Sequence, residues 1–362
     1  MGKTIILTGG GTAGHVTPNR ALIPLLQKDG WTIHYIGSHT GIERELIAQF
    51  PDVTYHGISS GKLRRYLDLK NISDPFRVLA GAFQARKIVR QLKPQVIFSK
   101  GGFVTVPVVW AGASCKVPVV VHESDLTPGL ANKLAIPMCR RLCTTFPEAA
   151  KAAGEKGVCT GSPIRPSLYD GVREKGLAFA GLPGKKPVLL MMGGSLGAQA
   201  INQAVDGCLD RLLESYEIIH LRGKGGLNPE LSDKMGYVQY EYIQEELPDL
   251  LAAADLILSR AGANAIWEFA ALNKPMLLIP LPLSASRGDQ ILNAQSFVKQ
   301  GFARSLDQDN MTSDTLVEAL AATWEDRETI IAAQKAGDTR GGLMRLLKEI
   351  YAAAGVITHK NQ

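Results

Sequence analysis

No apolar run in these 362 residues is long enough to cross a bilayer. The longest, Val104 to Val121, is interrupted by Pro107, Lys116 and Pro118 and reads as strands and turns. The opening residues hold no signal-peptide core, since Ile5 to Leu7 amounts to one strand. Ile6 breaks the pattern that acylation of Gly2 would require. The five cysteines (Cys115, Cys139, Cys143, Cys159, Cys208) are an odd number with no C-x-x-C spacing, which predicts reduced thiols in a cytosolic protein. Low-complexity segments and short repeats are absent. What remains has 45% hydrophobic and 20% charged residues, values of a globular chain with enough apolar material for two cores. The length favours two domains over one.

Short apolar runs alternate with helical stretches from end to end. In the first half strands are expected at 4–8, 32–36, 53–56, 96–99, 119–122 and 142–145. In the second half they are expected at 188–192, 217–221, 238–242, 256–258, 276–279 and 302–305. Alternation of this kind predicts parallel sheets covered on both faces, here two α/β doubly wound domains. A boundary is expected near Gly161-Ser162-Pro163-Ile164-Arg165-Pro166, dividing the chain into 1–163 and 164–340. A last helix, about 341–356, is a candidate to pack back on the first domain. Ligands sit beyond the carboxyl ends of parallel strands, so two facing sheets predict a cleft between the domains.

The first strand runs into Gly9-Gly10-Gly11-Thr12-Ala13-Gly14-His15 and then a helix read as Val16 to Leu26. Strand, glycine turn and helix make a cradle for an anion: backbone approaches closely, and the helix start offers N–H groups and a positive dipole end. Gly9, Gly11 and Gly14 also spell G-x-G-x-x-G, but a dinucleotide site needs an acid at the end of the second strand. That strand ends in Gly37-Ser38-His39, and Glu43 comes too late, inside a helix. The dinucleotide reading is therefore set aside. The helix dipole is expected to keep His15 neutral and able to take a proton from a hydroxyl. The plainer alternative is a histidine that only caps the helix.

Four further stretches lie at expected strand ends or helix starts. Gly193 to Ala198 is a second glycine turn in which Ser195 adds a hydroxyl suited to a diphosphate. Ser259 to Glu268 offers backbone at Ala261–Ala263 to a phosphate and the Glu268 carboxylate to both ribose hydroxyls. Arg287 to Asn293 carries Gln290 and Asn293, suited to sugar hydroxyls. His122-Glu123-Ser124-Asp125 sets a histidine and two carboxylates together, an acid–base candidate rather than a metal site, as no partnering His/Cys spacing accompanies it. Asp307-Gln308-Asp309 reads as a loop and capping segment. Between Ser60 and Lys100, ten bases stand against Asp68 and Asp74, a local charge of +8, interleaved with Phe76, Leu79, Phe83, Ile88 and Val89. That pattern suits an anionic membrane surface. It equally suits a helix packing its apolar face on a sheet, and it contains no nucleic-acid-binding module.

As a set these motifs resemble the MurG family, the UDP-N-acetylglucosamine:N-acetylmuramyl-(pentapeptide) pyrophosphoryl-undecaprenol N-acetylglucosaminyltransferases of peptidoglycan synthesis. The resemblance rests on Gly10–His15, Gly101-Gly102-Phe103, Ser162-Pro163-Ile164-Arg165, Gly193-Gly194-Ser195-Leu196-Gly197-Ala198, 259–268 and 289–293, and covers nearly the whole chain. Ala13 and Leu196 depart from the family's glycine and glutamine, and His122-Glu123-Ser124-Asp125 stands where many members read His-Glu-Gln-Asn. The resemblance implies a GT-B fold with the donor on the C-terminal domain and the acceptor on the N-terminal one. It also implies inversion at the anomeric carbon, no cofactor and no obligatory metal. It implies donor contacts from Thr12, Ala13, Gly14, Arg165, Ser195, Ile243, Ala263, Glu268 and Gln290. Acceptor contacts would come from His15, Gly101, Gly102, Glu123 and Asp125, with His15 or Asp125 as base. The partners implied are UDP-GlcNAc, lipid I and the anionic inner membrane surface, with a peripheral location on its cytoplasmic face. A transferase acting on another lipid, a non-hydrolysing UDP-GlcNAc epimerase and a UDP-GlcNAc-binding protein without turnover are the competing readings.

Overall fold

The computed structural model describes residues 2–61, 70–194 and 197–356, with the backbone alone for 70–75. Ser195 and Leu196 of the second glycine turn, and Lys62, Arg64, Arg65 and Asp68 of the basic segment, lie outside the described residues. The chain divides into two units, residues 1–165 with 341–362, and residues 166–340.

Unit 1 holds β1 (Lys3–Thr8), β2 (Trp31–Ser38), β3 (Thr54–Ile58), β4 (Val96–Ser99), β5 (Val119–Glu123), β6 (Arg141–Thr144) and β7 (Gly157–Cys159). They form a parallel sheet in the order β3-β2-β1-β4-β5-β6-β7. β7 has only three residues and was not expected; its Gly-Val-Cys sequence carries no apolar run. β1 shows why these segments are strands. Ile5 and Leu7 enter one core and Ile6 the core on the other face. That is the signature of a strand buried on both sides. Thr8 pairs with both Ile36 and Ser99, so β1 and β4 end at one level while β2 runs two residues further. The order in which strands are added reverses between β1 and β4, and the turns after these two strands share the switch point where such sheets hold ligands.

Helices α1 (Ala13–Lys28), α2 (Ile42–Ile47), α3 (Lys70–Leu92), α4 (Thr105–Ser114) and α5 (Leu130–Ala135) cover the sheet. α1 begins three residues earlier than its apolar spacing predicts. Gly14 and His15 therefore lie in its first turn, and the His15 N–H donates to the Thr12 carbonyl at 3.1 Å. α3 turns Ala85 and Val89 into the core and leaves Phe76, Leu79 and Phe83 exposed at 71%, 51% and 72%.

The terminal helix Gly342–Ala354 packs on unit 1. Leu343, Leu346, Leu347 and Ile350 join Ile5, Leu7 and Leu22 in one core. Tyr351 stacks on Trp31 with ring centroids 5.5 Å apart and donates to Asp29 Oδ2 at 2.6 Å. Arg345 Nε donates to the Thr160 carbonyl at 2.7 Å.

Unit 2 repeats the plan with β8 (Val188–Met192), β9 (Glu217–Leu221), β10 (Tyr237–Tyr240), β11 (Leu256–Ser259), β12 (Met276–Leu278) and β13 (Arg304–Ser305). The order is β10-β9-β8-β11-β12-β13, all parallel, with its switch point between β8 and β11. The segment 307–309 opens a short 3-10 turn at Gln308–Asn310. The next helix is capped by Thr312, whose hydroxyl accepts from the Thr315 N–H at 3.2 Å.

Candidate active site

The first glycine turn is held from three sides. Tyr35 Oη donates to the Gly9 carbonyl at 2.6 Å. Asn19, buried in α1, donates to the Thr8 carbonyl at 3.3 Å. Glu43, 1% exposed, accepts from Ser38 N, Ser38 Oγ and Gly11 N at 3.0, 2.6 and 3.2 Å. The end of β2 therefore does meet an acid: Glu43 is in α2, as its spacing predicts, but its side chain reaches back. The correction strengthens the rejection of a dinucleotide, because Oε2 holds the Gly11 N–H of the turn while Oε1 is taken by Ser38 at the end of β2. The turn after β4 locks into this one. Gly10 N–H donates to the Gly101 carbonyl at 3.3 Å. A Cβ on Gly102 would stand 2.1 Å from the Gly10 carbonyl oxygen, and its φ of +92° also demands glycine.

His15 sits over this junction. Its Nδ1 lies 3.0 Å from the Gly10 carbonyl oxygen and 3.2 Å from Thr12 Oγ1. A carbonyl only accepts, so Nδ1 carries the proton and Nε2 the lone pair. The ring's pKa is lowered to about 4, first by burial and then by the Lys100 charge, against the Gly10 hydrogen bond and the Asp125 and Glu43 charges. The shift runs in the direction expected from the sequence, with burial rather than the helix dipole as its first cause.

Behind His15 lies a polar group the sequence only half revealed. Lys100, 2% exposed, donates from Nζ to Ser124 Oγ at 2.6 Å. Burial lowers its pKa, opposed by the Glu123 and Asp125 charges. Glu123 is a loop anchor: it accepts from Asp125 N at 3.0 Å, Gly129 N at 3.1 Å and Asn132 Nδ2 at 2.8 Å. Asp125 is half-buried, close enough to act on His15 and Lys100 through its charge. His122 is fully buried and held well below its ordinary pKa, first by burial and then by Lys100.

In unit 2 the second glycine turn follows β8. Ser259 Oγ at the end of β11 donates to the Met192 carbonyl at 2.8 Å, tying the two sides of the switch point. A Cβ on Gly197 would stand 2.2 Å from the Arg222 carbonyl oxygen, which accepts from Asn202 Nδ2 at 3.0 Å. Ala263 is the first residue of the helix Ala263–Ala271, and half-buried Glu268 lies in its middle. Asn293, fully buried, donates to the Ala261 carbonyl at 3.2 Å. It ties the turn after β11 to the helix Asp289–Lys299. Gln290 accepts from Leu281 N at 3.1 Å and shapes the loop after β12. Ile243 is half-buried in the loop after β10, and Arg165 is the last residue of unit 1.

Within unit 1 the structure thus brings Thr12, Gly14, His15, Gly101, Gly102 and Asp125 to one edge. Spacing missed Asn19, Tyr35, Glu43, Lys100 and Asn132. Tyr35, Glu43 and Asn132 come from other elements, and only the fold sets them beside the turns. The single signal available was that Lys100 directly precedes Gly101-Gly102.

Two doubly wound units, each with glycine turns at its switch point, define a two-domain Rossmann-like class. The N-terminal domain of glycosyltransferase family 28 matches residues 5–144 and its C-terminal domain matches residues 188–344. The chain belongs to glycosyltransferase family 28. It is similar to the UDP-N-acetylglucosamine–N-acetylmuramyl-(pentapeptide) pyrophosphoryl-undecaprenol N-acetylglucosamine transferase of Clostridium botulinum, 56% identical over 91% of this chain and 93% of that one. The transferase of the same name from Lachnoclostridium phytofermentans is 54% identical over 92% of this chain and 94% of its own. The crystal structure of Acinetobacter baumannii MurG shares the fold, with a TM-score of 0.76 at 24% identity over 97% of this chain and 99% of that one.

Proposed function

We propose that this chain transfers N-acetylglucosamine from UDP-GlcNAc to the 4-hydroxyl of the N-acetylmuramyl residue of lipid I, with inversion, giving lipid II. Donor and acceptor follow from the activity named for relatives 54–56% identical over nine-tenths of both chains. The observation that carries the chemistry is His15, whose Nδ1 is committed to the Gly10 carbonyl and whose Nε2 is left as a base. In this reading Nε2 takes the acceptor hydroxyl proton while the oxygen attacks the anomeric carbon. The bond to UDP breaks with its electron pair on the β-phosphate oxygen. Backbone N–H groups at helix starts stabilise that charge without requiring a cation.

Donor contacts are assigned to Thr12, Ala13, Gly14, Arg165, Ser195, Ile243, Ala263, Glu268 and Gln290, with Glu268 on the ribose and Gln290 on the sugar. Unit 2 supplies most of them. Acceptor contacts are assigned to Gly101, Gly102, Glu123 and Asp125. The Glu123 contribution is through the 124–129 loop it shapes, since three donors already use its carboxylate. No helix among the described residues is long and apolar enough to cross a membrane. Peripheral attachment to the anionic cytoplasmic face is assigned to α3, where exposed Phe76, Leu79 and Phe83 accompany Arg77, Lys87 and Arg90. Nucleic acid is not among the proposed partners.

The test is UDP release from UDP-GlcNAc with and without a short-chain lipid I analogue, in excess EDTA. Release that depends on the acceptor and persists in EDTA is expected. Tight donor binding without acceptor-dependent release would overturn the reading in favour of another acceptor or a binding role.

A further inference from the structure

A buried ammonium is costly unless its surroundings hold it, and Lys100 is 2% exposed. It lies where three strand ends meet. Its backbone N–H donates to the Thr8 carbonyl of β1 at 2.9 Å, and its own strand, β4, runs straight into Gly101-Gly102. Its Nζ donates to Ser124, beyond β5, at 2.6 Å. The charged groups acting on the ammonium are Glu123 and Asp125. Those acting on His15 are Lys100, Asp125 and Glu43, and on His122, Lys100 alone. Ser124 and Asp125 are also the two residues that replace Gln-Asn of the family pattern. One supplies the ammonium's hydrogen-bond acceptor and the other part of its counter-charge, so the departure and the lysine form one unit.

We propose that Lys100 is a positioning residue of the acceptor site, its ammonium tying the 124–125 segment to the glycine turns after β1 and β4 and acting on His15 through its charge. The inference rests on the reading of His15 as the group that meets the acceptor hydroxyl. With the ammonium in place the imidazole is kept from taking a second proton, so Nε2 stays a base in mildly acidic solution. The energetic route is Coulombic, with no bond between lysine and imidazole.

The test uses the full chain labelled with 13C-histidine. The His15 resonance, assigned by its loss in His15→Gln, is titrated in the unsubstituted protein, Lys100→Met and Lys100→Arg. The pH profile of kcat for acceptor-dependent UDP release is recorded alongside. Loss of the charge in Lys100→Met is expected to raise the His15 midpoint by on the order of one pH unit. The acid limb of kcat should move up with it while KM for UDP-GlcNAc stays in place. Lys100→Arg, which keeps the charge, is expected to restore the lower midpoint. Lys100→Gln makes the same deletion of charge with a different shape, should Lys100→Met fail to fold. An unmoved His15 midpoint in a folded neutral variant overturns the proposal. If the unsubstituted protein does not turn over lipid I, the proposed transfer fails, while the titration still decides the role of Lys100.

Discussion

At the scale of single residues, the proposed mechanism depends on one nitrogen, His15 Nε2. His15→Gln keeps a hydrogen-bonding side chain at the head of α1 but removes the base. Its kcat is expected to fall by about 10²–10⁴-fold with UDP-GlcNAc affinity retained, measured by turnover and calorimetry. Desolvated imidazoles also tie stability to pH. His15 is lowered to about 4 and His220 to about 3, burial first in both cases. The unfolded chain takes up these protons near pH 6.5, so between about 6.5 and 3 it holds more protons than the folded chain. The stability they contribute is complete above that interval and is lost as pH falls through it. Urea midpoints are therefore expected to drop steadily from pH 7 to pH 4.5. His15 was legible from sequence because its setting is local: a strand, a glycine turn and a helix start within a dozen residues. Lys100 and Glu43 were not. A lysine ahead of two glycines and a glutamate in a short helix look like surface residues until the fold carries them under the turn.

Elements were easier to read than side chains. Twelve of the strands were expected close to where they lie, because strands covered on both faces must be continuously apolar. β7 escaped because it is short and bears no such run, and the start of α1 was set late because Ala13 and Gly14 carry no apolar signal. The terminal helix was recognisable as a helix, but its destination depended on a partner surface. Its apolar side now completes the core beside β1 and α1. Leu346, fully buried there, gives the expected cost. Leu346→Ala should destabilise the protein by about 2–5 kcal/mol in urea melts, because the cavity adds to the lost transfer energy. A cost near zero would show that the helix end is not needed to close that core.

At the scale of the whole molecule, two parallel sheets of the same design share the proposed work, and one of them bears the exposed apolar residues of α3. Two phenylalanines more than two-thirds exposed on a basic helix are unexpected unless something covers them. Phe76→Ser with Phe83→Ser is expected to weaken binding to anionic phospholipid vesicles by at least about tenfold per residue, given the transfer energy of a phenyl group. Turnover of a water-soluble acceptor analogue should be left intact. Binding of the unsubstituted chain should weaken with added salt, since the surrounding arginines and lysines act through a screened field. The most direct test of the whole account is to isolate the product formed from UDP-GlcNAc and a lipid I analogue and determine its linkage by NMR. A single N-acetylglucosamine joined β(1→4) to the N-acetylmuramyl residue is the predicted result. Free sugar, another linkage or an unmodified acceptor would contradict it.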